Sequence, residues 1–271
     1  MAKCRQQYET NVAHKIREGR ATGELKEYTP WLYVREVPSG GRSHIIFSAT
    51  VGRAHHLLSD LEELVFYYAD YSPLVADIRE QYPLFSREET VEIATSAGVK
   101  HPAIYGANIV CTEDFLLTVR GTPNSFRAIQ AKYSDELNKP EVRCKLEIQR
   151  RYFTRRGIPW RIITERDLCP NANRNLQWLR SGALETFPEA SALEFKKSII
   201  KAKPSDELGR AIRRAGEAAG LNLNNAALLF KRLVWTHEIE LNIRVLIELG
   251  MRMDQANLSI PDQERRHDQS M

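Results

Sequence analysis

The sequence predicts an α/β fold, a mixed sheet flanked by helices, followed by a helical carboxy-terminal domain. Three observations predict it. Apolar residues recur at helical spacing in Leu61, Leu64, Val65 and Tyr68, and again along Val142, Leu146 and Phe153. Between these, DFLLTVR (114–120) and FRAIQAKY (126–133) read as strands joined by turn residues. Beyond residue 168 the pattern is almost wholly helical.

Taken in order, a short helical pattern runs from Tyr8 to Glu18, and RSHIIFS (42–48) reads as a strand followed by a turn over 49–53. Ser59 or Asp60 caps the next helix, which carries Glu62 and Glu63 in its first turn. Residues 74–80 form a short strand, a Pro-containing loop follows, and a helix spans Glu88 to Ala97. The two strands above come next, with the turn Gly121-Thr122-Pro123-Asn124 between them. A long helix from Pro140 to Arg156 ends at Gly157, and Trp160–Thr164 is a compact strand. The domain boundary is placed at 168, giving a mixed α/β domain over 1–168 and a helical domain over 169–261. The helices of the second domain fall near 173–181, 190–201, 205–219 and 224–235, and a polar tail over 262–271 reads as disordered. In that domain, helices 205–219 and 224–235 around the turn Gly220-Leu221-Asn222 allow a helix-turn-helix reading, with 238–243 as a wing strand. The second of those helices offers only Lys231 and Arg232 as polar contacts, so a protein-binding or core role competes with groove reading.

Composition sets bounds on function. A chain of 271 residues with 42% apolar residues can bury a core. No run of about 18 apolar residues occurs, and the polar start resembles no leader peptide, so a cytoplasmic protein is expected. Four separated cysteines without a Cys-x-x-Cys pair read as free thiols. The net charge of +4, from 39 basic and 35 acidic residues, does not identify a nucleic-acid binder. Two local basic groups, Arg143 to Arg156 and Lys196 to Arg214, read equally as solvated helix faces or as DNA contacts.

The chemistry lies in the hairpin. Gln130 and Lys132 share one strand face, and antiparallel pairing brings the opening of the first strand, Asp114, beside them. A carboxylate, an amide oxygen and an ammonium converge at one sheet edge, and Glu62 from the nearby helix adds a second acid. This set suits Mg²⁺-assisted phosphodiester hydrolysis. The same residues also read as a turn cap, an ordinary strand amide and a solvent-exposed cation.

Longer segments decide between these readings. Gly52-Arg53-Ala54-His55-His56-Leu57-Leu58-Ser59-Asp60-Leu61-Glu62, Lys100-His101-Pro102, Thr112-Glu113-Asp114-Phe115 and Ala128-Ile129-Gln130-Ala131-Lys132 resemble the TnsA family. So do Lys145-Leu146-Glu147, Arg150-Arg151-Tyr152, Gly157-Ile158-Pro159-Trp160, Tyr28-Thr29-Pro30-Trp31-Leu32 and Glu36-Val37-Pro38-Ser39. TnsA proteins are the endonuclease subunits of heteromeric cut-and-paste transposases. The resemblance covers about residues 10 to 180. It implies a restriction-endonuclease-like domain of the PD-(D/E)xK group, with Glu62, Asp114 and Gln130 holding two Mg²⁺ ions (Mn²⁺ substituting) and Lys132 beside them. It further implies cutting of transposon 5′ ends, with a TnsB-like transposase acting at the 3′ ends and a TnsC-like ATPase regulating both. Gln130 departs from the group's usual acid but matches the TnsA pattern. An acidic position of the family, two residues past Glu147, is Gln149 here. If that acid assists metal binding, the chain has lost it, which leaves room for a catalytically silent assembly factor as the rival reading. A stand-alone nuclease of the same fold is a third. Arg53, His55 and His56, just before the Glu62 helix, are expected to contact DNA phosphates or to pack structurally.

Overall fold

The computed structural model describes residues 2–37, 41–121 and 125–261; the predicted tail and most of the turn at 121–124 lie outside them, as do Pro38 and Ser39. Two compact units emerge, Met1–Asp70 with Leu74–Asp167, and Tyr71–Pro73 with Leu168–Met271.

The first unit contains α1 (Ala2–Arg17), β1 (His44–Phe47), β2 (Ala54–Leu57), α2 (Asp60–Tyr71, all but its last residue), β3 (Val75–Pro83), α3 (Arg87–Ser96), β4 (Ala103–Ile104), β5 (Ala107–Asn108), β6 (Thr112–Val119), β7 (Phe126–Ala131), α4 (Pro140–Arg155) and β8 (Trp160–Ile163). The main sheet has the order β3-β6-β7-β8. β3, β6 and β7 pair antiparallel, whereas β8 runs parallel to β7, the connection being made by α4. The expected mixed sheet with flanking helices is therefore present. Under α3 and α4, Leu84, Ile93, Leu116, Ala128, Ile148, Tyr152 and Phe153 form one apolar cluster. Burial of each leucine, isoleucine or phenylalanine among them contributes about 1.5–3 kcal/mol, so this cluster is what fixes α4 against the sheet.

Two hairpins differ from the sequence expectation. Residues 54–57, expected as the exit from a turn, form β2 and pair with β1 (Phe47↔Ala54 to His44↔Leu57). Residues 103–108 form the small β4–β5 hairpin. β3 also runs to Pro83, past the expected end at residue 80. Its length is hidden by polarity: Asp77, Arg79, Glu80 and Gln81 are all buried, where a buried strand ordinarily shows apolar residues.

The second unit contains α5 (Pro170–Leu179), α6 (Glu189–Ile199), α7 (Leu208–Ala218), α8 (Leu223–Trp235) and α9 (Met253–Ala256). Gly216 lets α7 approach α8: a Cβ there would meet that of Ala226 at 2.2 Å. α8 buries Ala226, Leu229, Phe230, Leu233, Val234 and Trp235. Its two polar candidates are engaged within the unit, Lys231 with Ser181 Oγ at 2.8 Å and over the Trp178 ring, Arg232 with the Ala183 carbonyl at 2.8 Å. The expected wing strand takes the form of a single bridge, Glu240↔Ser259. No helix among the described residues is long and apolar enough to cross a membrane.

Candidate active site

The register of the sheet builds the centre. β6 and β7 pair as Phe115↔Ile129 and Leu116↔Ala128, so one step further along each strand sets Asp114 opposite Gln130. The side chains meet: Gln130 Nε2 donates to Asp114 Oδ2, and the Ala131 backbone N–H donates to the same oxygen at 2.8 Å. Glu62 arrives from the first turn of α2. Its Oε2 accepts from the Leu58 backbone N–H at 2.8 Å and from Gln81 Nε2 at 3.0 Å, and its Oε1 from Ser59 Oγ at 3.1 Å. Ser59 Oγ in turn accepts the Glu62 N–H at 3.1 Å, the side-chain cap expected from the sequence. Lys132 follows the end of β7, half-buried, with Nζ 3.5 Å from Glu136 Oε2. All four residues line one cavity of about 840 Å³.

The electrostatics are those of acids crowded out of water. Burial, reinforced by the Asp114 charge, holds the Glu62 carboxyl above the ordinary carboxylate range. Burial raises Asp114 as well, against the opposing pull of Lys145 and Lys132. Glu113, fully buried and donated to by Trp160 Nε1 at 3.0 Å, is pushed up by burial and by its neighbour Asp114.

Three residues of this centre escaped the sequence reading. Lys145, counted there within a basic helix face, lines the cavity; it stands one helical turn before Gln149, and that spacing is the available signal. Gln81 reaches Glu62 from β3 across 19 positions of chain, which no local pattern reports. Glu113 sits beside Asp114 in a motif that gives it no role. Gln149 is fully buried and donates to the Thr112 carbonyl at 2.8 Å and to Gln130 Oε1. It stands directly behind a proposed metal ligand.

The phosphate expectation for Arg53 and His55 is corrected. Arg53 is 8% exposed, and its donors are taken by the Leu25, Ala54 and Ile78 carbonyls and both oxygens of Glu80. His55 has no exposed surface; its Nε2 lies 3.1 Å from the Ile78 carbonyl and its ring packs on Phe66. Neither reaches a phosphate without abandoning a buried network. His56 is half-buried against Tyr33, and its Nδ1 accepts from the Val34 N–H at 3.4 Å. The α4 basic group is extensively ion-paired: Arg150 and Arg151 with Glu147, Arg155 with Glu92, Arg156 with Glu89.

Two buried carboxylates are what a hard divalent cation takes, and a cation between them would offset the desolvation that raises them. The Gln130 amide adds an oxygen to this set on exchanging its ends, since here its nitrogen faces Asp114 and its oxygen accepts from Gln149. The chemistry of the donors therefore fits a metal centre.

Two comparisons with known proteins identify the family. The family described as TnsA-like endonuclease N terminal matches residues 72–165, the stretch that includes Asp114, Gln130 and Lys132. The chain is 38% identical over 246 residues to the transposon Tn7 transposition protein TnsA of Escherichia coli, covering 90% of each. With a relative this similar over nearly its whole length, the chain belongs to the TnsA family of transposition endonucleases.

Proposed function

We propose that the chain is the Mg²⁺-dependent subunit that hydrolyses the 5′ ends of a transposon during cut-and-paste transposition, with Mn²⁺ able to replace Mg²⁺. A TnsB-like transposase and a TnsC-like ATPase are its partners and transposon-end DNA its substrate; residues 1–168 do the cutting, and 169–261 engage DNA or partner protein. The observation that carries this reading is the convergence of Glu62, Asp114, Gln130 and Lys132 on one cavity from three elements of a single unit. Glu62 and Asp114 are the ligands, joined by the Gln130 amide oxygen when the amide turns that oxygen from Gln149 toward the acids. When bound there, the metal polarises the phosphoryl oxygen and makes water a competent nucleophile near neutral pH. Ser59 and Gln81 fix the Glu62 rotamer by hydrogen bonds, and Asp114 is fixed by Ala131 and Gln130. Lys132, partly exposed to the cavity, balances the charge that grows on the phosphate.

Supercoiled donor plasmid carrying transposon ends, incubated with the chain, its partners and Mg²⁺, should be cut at the 5′ ends. Lys132→Ala should still assemble and lose about 10²–10³-fold in that cutting. Undiminished 5′ cutting by the variant would remove Lys132 from the site, and cutting without any transposase would favour the stand-alone nuclease.

A second consequence concerns protons. Carboxyls held above their ordinary range retain protons that a cation must displace. Mg²⁺ binding should therefore tighten as pH rises from the ordinary carboxylate range toward neutrality and should release protons. Titration calorimetry in buffers of different ionisation heat checks this: heats that do not vary with buffer mean that the acids are already ionised.

A further inference from the structure

A second cluster of potential ligands shares the first turn of α2 with Glu62, and one of its members, Asp60, also lines the cavity that holds Glu62. Asp60 and Glu63, three residues apart, share one face of that helix. His44, the first residue of β1, faces them. Its Nε2 lies 2.8 Å from Asp60 Oδ1 and 3.6 Å from Glu63 Oε2, and the three ligand atoms fall within 4.8 Å of one another. All three side chains retain some exposure, 22%, 38% and 17% for His44, Asp60 and Glu63, so an ion can enter.

The outer contacts are what distinguish this cluster from a chance meeting of surface charges. Each carboxylate has one oxygen held from outside and the other turned to the imidazole. Arg42 donates to Asp60 Oδ2, at 3.3 Å from Nη2 and 3.4 Å from Nε, leaving Oδ1 toward His44. The Tyr67 hydroxyl donates to Glu63 Oε1 at 2.7 Å, leaving Oε2 toward His44. Metal-binding carboxylates are typically held in this manner by a second layer of hydrogen bonds.

We infer that His44 Nε2, Asp60 Oδ1 and Glu63 Oε2 form a binding site for a borderline divalent transition metal such as Zn²⁺, separate from the catalytic acids. An imidazole nitrogen with two carboxylate oxygens selects Zn²⁺ or Co²⁺ over Mg²⁺, which takes oxygen ligands almost alone. Three protein ligands leave a fourth position for water. The ion would tie β1 to the start of α2, two residues from Glu62, and so hold the helix tip that presents that acid.

The test uses the full chain stripped of metal and titrated with Zn²⁺ by calorimetry, with Co²⁺ as an absorption probe. One Zn²⁺ should bind, raise the thermal midpoint, and give with Co²⁺ the visible bands of a low-coordinate site. Glu62→Gln/Asp114→Asn should retain this site, whereas His44→Ala and Glu63→Gln should each weaken it by about 100-fold or more and Tyr67→Phe by about tenfold. Glu63→Gln serves if His44→Ala fails to fold. Equal Zn²⁺ uptake by the wild type, His44→Ala and Glu63→Gln would overturn the assignment. So would uptake abolished by the Glu62/Asp114 pair of substitutions, or no uptake by the wild type.

Discussion

Asp114→Asn should reduce 5′ cutting by about 10²–10³-fold while leaving the metal-free protein at least as stable as the wild type at neutral pH. The two halves of this expectation share one cause. In the wild type the carboxyl is fully buried and its pKa lies above the ordinary value. A carboxyl raised in the folded state binds its proton more tightly there than in the unfolded chain, so its stabilising contribution is complete below the unfolded pKa of about 3.9. That contribution is lost as pH rises through the folded value. Above it, the metal-free protein bears the cost of a buried charge, which Asn does not impose. Asn still offers an oxygen to the Ala131 N–H, whose bond to Asp114 is 2.8 Å, so the end of β7 keeps its partner. What Asn lacks is the charge that draws a cation. Thermal melts with EDTA and with Mg²⁺, run beside the nicking assay, read all of this at once: the variant should lose the Mg²⁺-induced rise. A variant that cuts normally, or that is stabilised by Mg²⁺ as the wild type is, would place the metal elsewhere.

The centre was legible where its geometry follows from local periodicity. Asp114 and Gln130 are joined by one antiparallel register, and alternation along two strands with turn residues between them suffices to place the pair. Glu62 was legible because a capping Ser59 and apolar spacing fix where α2 begins. What stayed hidden depends on partners distant in sequence. Gln81 matters because it meets Glu62, and β3 could not be drawn to its full length because its buried polar residues are satisfied by groups elsewhere. β4 and β5, two residues each, carry too little pattern to register. Lys145 was seen as one charge among several on a helix, since the inward turn of its face is set by packing of α4 on the sheet. Arg53 and His55 failed in the opposite direction. Basic residues just before a nuclease acid invite a phosphate role, yet Glu80, 27 positions away, claims Arg53 for the interior.

That claim yields the largest expected loss of stability. Arg53→Ala should destabilise the protein by about 3–5 kcal/mol, the range for removing one partner of a buried ion pair. Glu80 has no exposed surface and receives Arg53 Nη1 at 2.9 Å and Nη2 at 2.6 Å. Burial acts to raise its pKa, and the neighbouring His55 together with Arg53 more than offsets this, so the carboxyl lies below its ordinary value. Its contribution to stability is therefore present above the unfolded pKa of about 4.3 and is lost as pH falls through the folded value. Without Arg53 the carboxylate keeps the His55 ring at 3.8 Å and the His56 N–H at 3.1 Å, and the acid-side dependence should become shallower. Replacing both partners by apolar residues of similar size, Arg53→Met/Glu80→Leu, should recover much of the loss, because no charge is then stranded. Urea unfolding of the two variants at neutral and mildly acidic pH measures each part. Were Arg53 a phosphate contact, the single variant would instead keep its unfolding midpoint and lose affinity for DNA, with a shallower dependence on salt. The two roles thus separate on one substitution, stability against binding, and the occupied guanidinium commits the structure to the first.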